Sequence, residues 1–148
     1  PYRFIVLEKQ ALNNLGTALK NAAIAQGETD EKTLNKAENM PLRAPMIIAC
    51  VTNFKSHDKV PHWEQIAASS CAVQNLLLAL TAQGFATIWR TGPLANAPAI
   101  KQLFNVTADN QVIAFVYVGT AVSTIPPRSK IDVTPFIVYD NGTNQRLS

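Results

Sequence analysis

Apolar residues recur along the first part of the chain at spacings that predict a strand followed by two helices. Residues 2–7 are rich in aromatic and β-branched types, which is typical of a strand. Over about Lys9–Gln26, leucine and alanine return every three or four residues, and this spacing predicts a helix. A second, polar helix is predicted over about 30–39, with Thr29 or Asp30 as its cap.

The middle of the chain predicts strand, long helix and strand. Met46–Val51 is a continuous apolar run of strand length. His62–Gln83 has a helical apolar stripe with small residues on several other sides, and Gly84 stands where such a helix would end. A helix of this kind is usually buried between neighbours or packed closely on a partner subunit. Phe85–Ile88 then indicates a buried strand.

The last third of the chain predicts a short helix and one or two strands. Asn96 can cap a helix over 97–104, and Gln111–Val118 is the most hydrophobic strand candidate. Residues 133–140 can form one further extended strand. Helices interleaved with four or five strands indicate an α+β or α/β architecture, and we expect a single domain over 1–148.

Composition and charge narrow the possible partners. The chain is 47% hydrophobic and only 16% charged, so much apolar surface has no polar cover and a homo-oligomer is expected. Its net charge is +3, but the 13 Lys and Arg are scattered, which disfavours nucleic-acid binding. Polar residues interrupt every apolar run before it reaches the length of a membrane span, so no membrane partner is expected.

The ends and the cysteines bear on processing and compartment. The chain begins at Pro1 without an initiator Met and enters a strand almost at once, so we expect that an N-terminal segment is missing. No signal segment opens it. Cys50 and Cys71 both lie in apolar surroundings and predict two buried, reduced thiols, which is typical of a cytoplasmic protein.

The familiar motifs of catalysis do not occur. There is no Gly-x-Ser-x-Gly elbow, no Gly-x-Gly-x-x-Gly turn and no Gly-x-x-x-x-Gly-Lys loop. The loop His57–Glu64 gathers two His and two carboxylates, but no pair has metal-ligand spacing on a helix, so we assign no metal. It is a solvated loop or, through Trp63, a pocket or interface contact. We assign no catalytic acid or base, so the chemistry of an enzyme here would belong to a cofactor.

The segment Trp89-Arg90-Thr91-Gly92 carries the most specific chemistry. It combines an aromatic face, a permanent cation, a hydroxyl and an unhindered backbone at a strand end. These groups suit a flat, polar-edged, phosphate-bearing ligand. A purely structural role, with Trp89 in the core and Arg90 paired on the surface, explains them equally well. Arg128, or next Lys130, can hold a phosphate or be ordinary surface charge.

Several short motifs follow one another in a characteristic order over essentially the whole chain. They are the opening Pro1-Tyr2-Arg3-Phe4 and the segments 43–48, 59–65, 82–85, 88–92, 119–120 and 134–136. The ordered set is more specific than any one motif. It resembles the motifs of the FMN-dependent nitroreductases, especially the small YdjA-type NAD(P)H nitroreductases.

The resemblance implies an α+β fold with a central, mostly antiparallel sheet flanked by helices, assembled as an intertwined homodimer. The helix 62–83 would lie at the dimer interface, and each of two FMN sites would be made by both subunits. Family members also carry an N-terminal Arg-Arg-Ser segment that binds FMN, and we expect it to belong to the N-terminal segment that is missing here.

The resemblance also implies roles for particular residues. Trp89, Arg90, Thr91 and Gly92 would lie against the isoalloxazine, with backbone N–H groups near its N5, and Arg128 would meet the FMN phosphate. The nicotinamide or substrate side would be formed by Ala79, Leu80, Thr81, Ala82, Gln83 and Gly84.

The function implied is an FMN-dependent oxidoreductase that takes a hydride from NAD(P)H and passes electrons to a nitroaromatic, a quinone or a similar acceptor. Two alternatives remain open at this point. The chain can be a flavin- or ligand-binding module without turnover, or a structural dimerisation domain.

Overall fold

The computed structural model describes residues 1–107, 109–123, 126 and 129–139, and a four-stranded sheet forms its centre. The strands are β1 (Tyr2–Glu8), β2 (Met46–Thr52), β3 (Ala86–Arg90) and β4 (Gln111–Gly119). Their order across the sheet is β1-β2-β4-β3, and every neighbouring pair is antiparallel. The α-helices of the described part are α1 (Gln10–Ala25), α2 (Glu31–Asn39), α3 (His62–Ala82) and α4 (Pro98–Leu103). Three short 3₁₀ turns span Met40–Arg43, Pro93–Asn96 and Thr134–Phe136.

Helices cover both faces of this sheet. Because side chains alternate across a strand, β2 sends Ile47, Ala49 and Val51 to the face covered by α1 and α4, and Ile48 and Cys50 to the face covered by α3. This is the α+β arrangement that the resemblance implies, and it explains why β2 and β4 are continuous apolar runs.

Most predicted elements are confirmed, and their ends follow the expected chemistry. Asp30 is the cap of α2, and its carboxylate accepts a hydrogen bond of 2.8 Å from the N–H of Thr33. Helix α3 ends in a Schellman motif, in which the N–H of Phe85 bonds to the carbonyl of Leu80 and the N–H of Gly84 to that of Thr81. Gly84 has a φ of +86°, a conformation that favours glycine.

The prediction that Asn96 caps a helix is wrong. Its side-chain amide donates to the carbonyl of Val112 at 3.0 Å and accepts from the N–H of the same residue at 2.8 Å. An amide can donate and accept at once, so Asn96 pairs with the backbone of β4 as a neighbouring strand would. Helix α4 instead begins at Pro98, whose missing N–H is no loss at a first-turn position.

The predicted strand over 133–140 is also wrong in the described part of the chain. Thr134–Phe136 forms a 3₁₀ turn, and the carboxylate of Asp132 accepts from the N–H of Thr134 at 3.0 Å. Proline has no N–H to donate to a strand ladder, so Pro135 suits the first turn of a helix better than a sheet. Asp140 lies outside the described residues.

Helix α3 leaves much of its apolar surface uncovered. Val73 is fully buried against the sheet, whereas Leu78 is 59% exposed. Cys71 is exposed as well, so the prediction of two buried thiols holds for Cys50 alone. By length and composition, α3 is the one helix of the described residues that could cross a membrane. This is weak support for a span, because core helices of soluble proteins pass the same test.

Candidate functional site

The segment Trp89–Gly92 begins within β3 and not after it, because the strand runs through Arg90. Arg90 pairs with Phe115 and Trp89 with Val116 in the ladder to β4. Successive side chains of a strand point to opposite faces. Trp89 therefore packs in the cluster on the α3 face, whereas Arg90 lines cavities on the α1 face.

Two side chains anchor this turn to β4. The indole N–H of Trp89 donates to the carbonyl oxygen of Ile113 and to the Thr91 hydroxyl, both at 3.2 Å. The Thr91 hydroxyl in turn donates to the same carbonyl at 2.8 Å. These bonds hold residue 91 against β4 beyond the last strand pair, so the turn has a defined conformation.

The backbone of the turn leaves polar groups available. Gly92 has a φ of +118°, and a Cβ there would meet nothing within 4 Å, so backbone conformation and not space requires glycine. Within the described residues, the N–H groups of Thr91 and Gly92 have no hydrogen-bond acceptor. Such donors are available to a ligand.

Two adjacent cavities lie along β3 and the turn that follows it. The smaller, which we call the turn cavity, measures about 170 Å³ and includes Thr91, Gly92, Leu15 and Met40 in its walls. The larger, which we call the edge cavity, measures about 410 Å³ and is lined by Arg43, Ala44, Ala86–Ile88 and Gly119–Ser123. Arg90 and Tyr117 line both, so the two cavities are adjacent.

The electrostatics of these cavities are set by two arginines. Burial raises the pKa of Tyr117, and the charges of Arg43 and Arg90 act against that increase. Within the described part of the chain, neither guanidinium forms an ion pair or a hydrogen bond. Among the residues that the structure describes, no carboxylate lines either cavity. The site therefore favours a ligand that carries negative charge.

The residues predicted to face nicotinamide or substrate lie elsewhere in the chain. Ala79–Gly84 form the C-terminal end of α3 and its cap, and all of them are exposed except Leu80. Leu80 is partly buried against the cluster that also contacts Trp89. The turn lies at the other end of β3, about 13 Å from the first residue of that strand at the usual rise. Within one chain, the exposed residues of the predicted nicotinamide side thus lie apart from the turn. Arg128 lies outside the described residues, and Lys130 is exposed.

The loop before α3 is held by a residue that the sequence did not single out. Gln65 is buried, and its amide bonds to the backbone N–H and carbonyl of Lys55, both at 2.9 Å. His62 stacks on Phe54 with ring centroids 4.2 Å apart, and Trp63 is 70% exposed. Among the described residues, no three His, Cys, Asp or Glu side chains come together as a metal site would require.

Arg43 and Tyr117 are the site residues that sequence reasoning missed. Arg43 ends the 3₁₀ turn before β2, and Tyr117 is one residue in an apolar strand. Neither has a local pattern that indicates binding. They line the same cavity as Arg90 because β4 lies between β2 and β3, where Tyr117 pairs with Ile47 on one side and with Ile88 on the other.

Comparison with protein families decides the relationship. Residues 1–120 match the model of the nitroreductase family. This chain belongs to the nitroreductase family. This match confirms the resemblance drawn from the short motifs. The family consists of oxidoreductases.

Relatives in two bacteria support the assignment. The chain is 36% identical over 140 residues to a protein of Escherichia coli K12 named as a candidate NAD(P)H nitroreductase, YdjA. It is 40% identical over 141 residues to a similarly named protein of Haemophilus influenzae. In both comparisons the alignment covers 94% of this chain and 76% of the relative.

Solved structures share the fold. A nitroreductase-like family protein from Bacillus cereus superimposes with a TM-score of 0.77 at 16% identity, covering 96% of this chain and 74% of that one. An iodotyrosine deiodinase bound to FMN and 3-iodo-L-tyrosine superimposes with a TM-score of 0.61 at 17% identity, covering 97% and 77%. At these identities the likeness concerns the fold.

Proposed function

We propose that this protein is an FMN-dependent oxidoreductase that takes a hydride from NAD(P)H and passes electrons to a nitroaromatic, a quinone or a similar acceptor. The observation that carries the proposal is the anchored turn after β3. It presents two N–H groups beside a cavity lined by Arg90, and none of these groups has a partner within the described part of the chain. The FMN in the related deiodinase fold and the names of the bacterial relatives support the same cofactor and electron donor.

The residues present fit a flavin. The N–H groups of Thr91 and Gly92 can donate to its polar edge, and the absence of a Cβ at Gly92 lets the ring approach the backbone. Arg90 favours negative charge on the bound cofactor. FMN, when bound, supplies the electron chemistry, whereas the protein supplies binding and orientation. Trp89 acts through its bond to Thr91 by holding the turn.

A homodimer completes the site in this proposal. The end of α3, Ala79–Gly84, lies about 13 Å along β3 from the turn within one chain. A second subunit can bring its own α3 end to the turn. Apolar surface for this contact is offered by the exposed side chains of Leu78 on α3 and of Phe136 and Tyr139 in the C-terminal segment.

The two cysteines of the chain are free thiols, which fits a cytoplasmic location.

An absorption spectrum of the full-length protein, reconstituted with FMN, tests the function. We expect a retained flavin band that is bleached by NAD(P)H without oxygen and restored by a quinone or nitroaromatic. A protein that retains FMN but is not reduced would be a binding module without turnover. Loss of all FMN on gel filtration, together with no NAD(P)H oxidation, would refute the proposal.

A further inference from the structure

We propose that Arg43 and Arg90 together bind a phosphate monoester in the edge cavity. Arg43 has no role in the function proposed above. The inference rests on that function only for the identity of the ligand, since FMN and NADPH both carry a phosphate monoester.

The sheet places the two arginines on either side of one tyrosine. Arg43 ends the 3₁₀ turn that leads into β2, and Arg90 ends β3. Strand β4 lies between β2 and β3, and its Tyr117 pairs with Ile47 of β2 and Ile88 of β3. Both arginines line the edge cavity together with Tyr117.

The charges in this cavity are not compensated within the described residues. Among these residues, neither guanidinium has a carboxylate or hydrogen-bond partner, and none of those that line the cavity is acidic. Two like charges that share a cavity repel each other, and a dianion placed between them removes this repulsion. Guanidinium groups also match the oxygen geometry of phosphate through paired N–H donors.

The rest of the lining suits an ester and not a free ion alone. Thr120 and Ser123 carry hydroxyl groups that can donate to phosphate oxygens, whereas Ala86 and Ile88 give an apolar wall. The edge cavity also shares Arg90 and Tyr117 with the turn cavity. A ligand with its planar part at the turn can therefore extend its phosphate toward Arg43.

The test compares ligands that differ by one phosphate. Arg43→Gln removes the charge, Arg43→Lys keeps it without the paired donors, and Lys32→Gln on the exposed surface of α2 is the charge-matched control. Affinities for FMN and riboflavin are measured by flavin fluorescence, and those for NADPH and NADH by KM and by titration. Circular dichroism verifies that each variant is folded.

If the phosphate belongs to FMN, Arg43→Gln weakens FMN binding by about tenfold or more, since charge-assisted bonds have this magnitude, and leaves riboflavin binding unchanged. If it belongs to NADPH, the same variant raises KM for NADPH and not for NADH. In either case, the affinity of Arg43→Lys for the phosphate-bearing ligand lies between those of the wild type and Arg43→Gln, and the affinity of Lys32→Gln equals that of the wild type. Either pattern supports the proposal.

The proposal is overturned if Arg43→Gln alters neither the affinity for FMN nor that for NADPH, or if it lowers the affinity for riboflavin as much as that for FMN. Either result is obtained with a wild-type protein that binds flavin, so it does not count against the proposed function. If the wild type binds no flavin, the proposed function fails, and calorimetry with inorganic phosphate tests the cavity by itself. Binding that Arg43→Gln abolishes supports the site, and absence of binding to the wild type overturns it.

Discussion

The hydroxyl of Thr91 connects three parts of the candidate site. It accepts from the indole of Trp89 and donates to the carbonyl of Ile113. It therefore fixes the turn whose N–H groups have no acceptor among the described residues. Trp89, which packs in the cluster on the α3 face, thus helps to hold the turn through a hydrogen bond. The interpretation of Trp89 as a wall of the flavin site stays a prediction.

Removing this hydroxyl is a residue-scale test of the turn. Thr91→Val keeps the shape but loses the bond to Ile113, so we expect a loss of about 1 kcal/mol in unfolding free energy and weaker FMN binding. Thr91→Ser keeps the hydroxyl and should stay close to wild type. Urea unfolding and fluorescence titration measure the two effects. Equal behaviour of both variants would contradict the role given to the bond.

Cys50 makes a second residue-scale prediction, about pH. Burial raises the pKa of its thiol from 9.0 to about 11. Between pH 9 and 11 the unfolded chain therefore loses a proton that the folded chain keeps, and the unfolding free energy falls as pH rises. The expected loss is on the order of 2–3 kcal/mol at the upper end.

Cys50→Ala isolates this effect. The pKa of Tyr117 is also raised by burial, so some loss of stability above pH 10 is expected in any variant. The alanine variant should show a shallower decline of unfolding free energy between pH 9 and 11 than the wild type. Chemical denaturation at several pH values measures the slopes, and identical slopes would show that the thiol does not contribute.

At the scale of elements, the contact of α1 with α2 depends on the absence of a side chain at Gly16. A Cβ at this position would collide with the backbone carbonyl oxygen of Glu38. The same helices are joined by an ion pair of 2.7 Å between Lys20 and Glu38. The close approach of the two helices at this point therefore requires glycine at position 16.

Gly16→Ala tests this packing by the sign of its effect. In an exposed helix, alanine stabilises relative to glycine by about 1 kcal/mol, because it restricts the unfolded chain. Here we expect a loss of about 1–3 kcal/mol, because backbone must move to make room. Asn21→Ala, on the exposed surface of α1, is the control and should not destabilise. Thermal unfolding measures both, and a stabilised Gly16→Ala would contradict the contact.

At the scale of the whole molecule, the division of the candidate site matters most. The turn lies at one end of β3 and the exposed end of α3 at the other. Trp63 and Leu78 of α3 are 70% and 59% exposed, so this helix has a large uncovered apolar side. The proposed homodimer accounts for both features, since a second subunit would cover α3 and supply the missing part of the site.

Leu78→Lys tests the dimer. A lysine at a buried subunit contact leaves an unpaired charge there, so we expect dissociation to a monomer and loss of FMN. Ile24→Lys is the matched control, because Ile24 is 50% exposed on α1, which covers the opposite face of the sheet. Sedimentation velocity measures the mass. If both variants keep the mass of the wild type, α3 is not the interface.

The sequence by itself determined the order and type of most elements and the family. Local patterns depend on residues near in the chain, so α1–α3, β1, β2 and β4 could be predicted from them. Helical spacing indicated α1 and α3, capping residues indicated α2, and runs of apolar, aromatic or β-branched residues indicated the strands. The order of short motifs over the chain was specific enough to indicate the nitroreductases, which the family match confirms. The predicted cap at Asn96 failed because its partner, Val112, is distant in sequence.

Only the tertiary structure decided which side chains meet. Trp89 and Arg90 are adjacent in the chain but lie on opposite faces of the sheet, because strand side chains alternate. Arg43 and Arg90 are far apart in the chain but share a cavity, because the order β2-β4-β3 places them on either side of Tyr117. Strand order depends on non-local pairing, which no local pattern of residues contains.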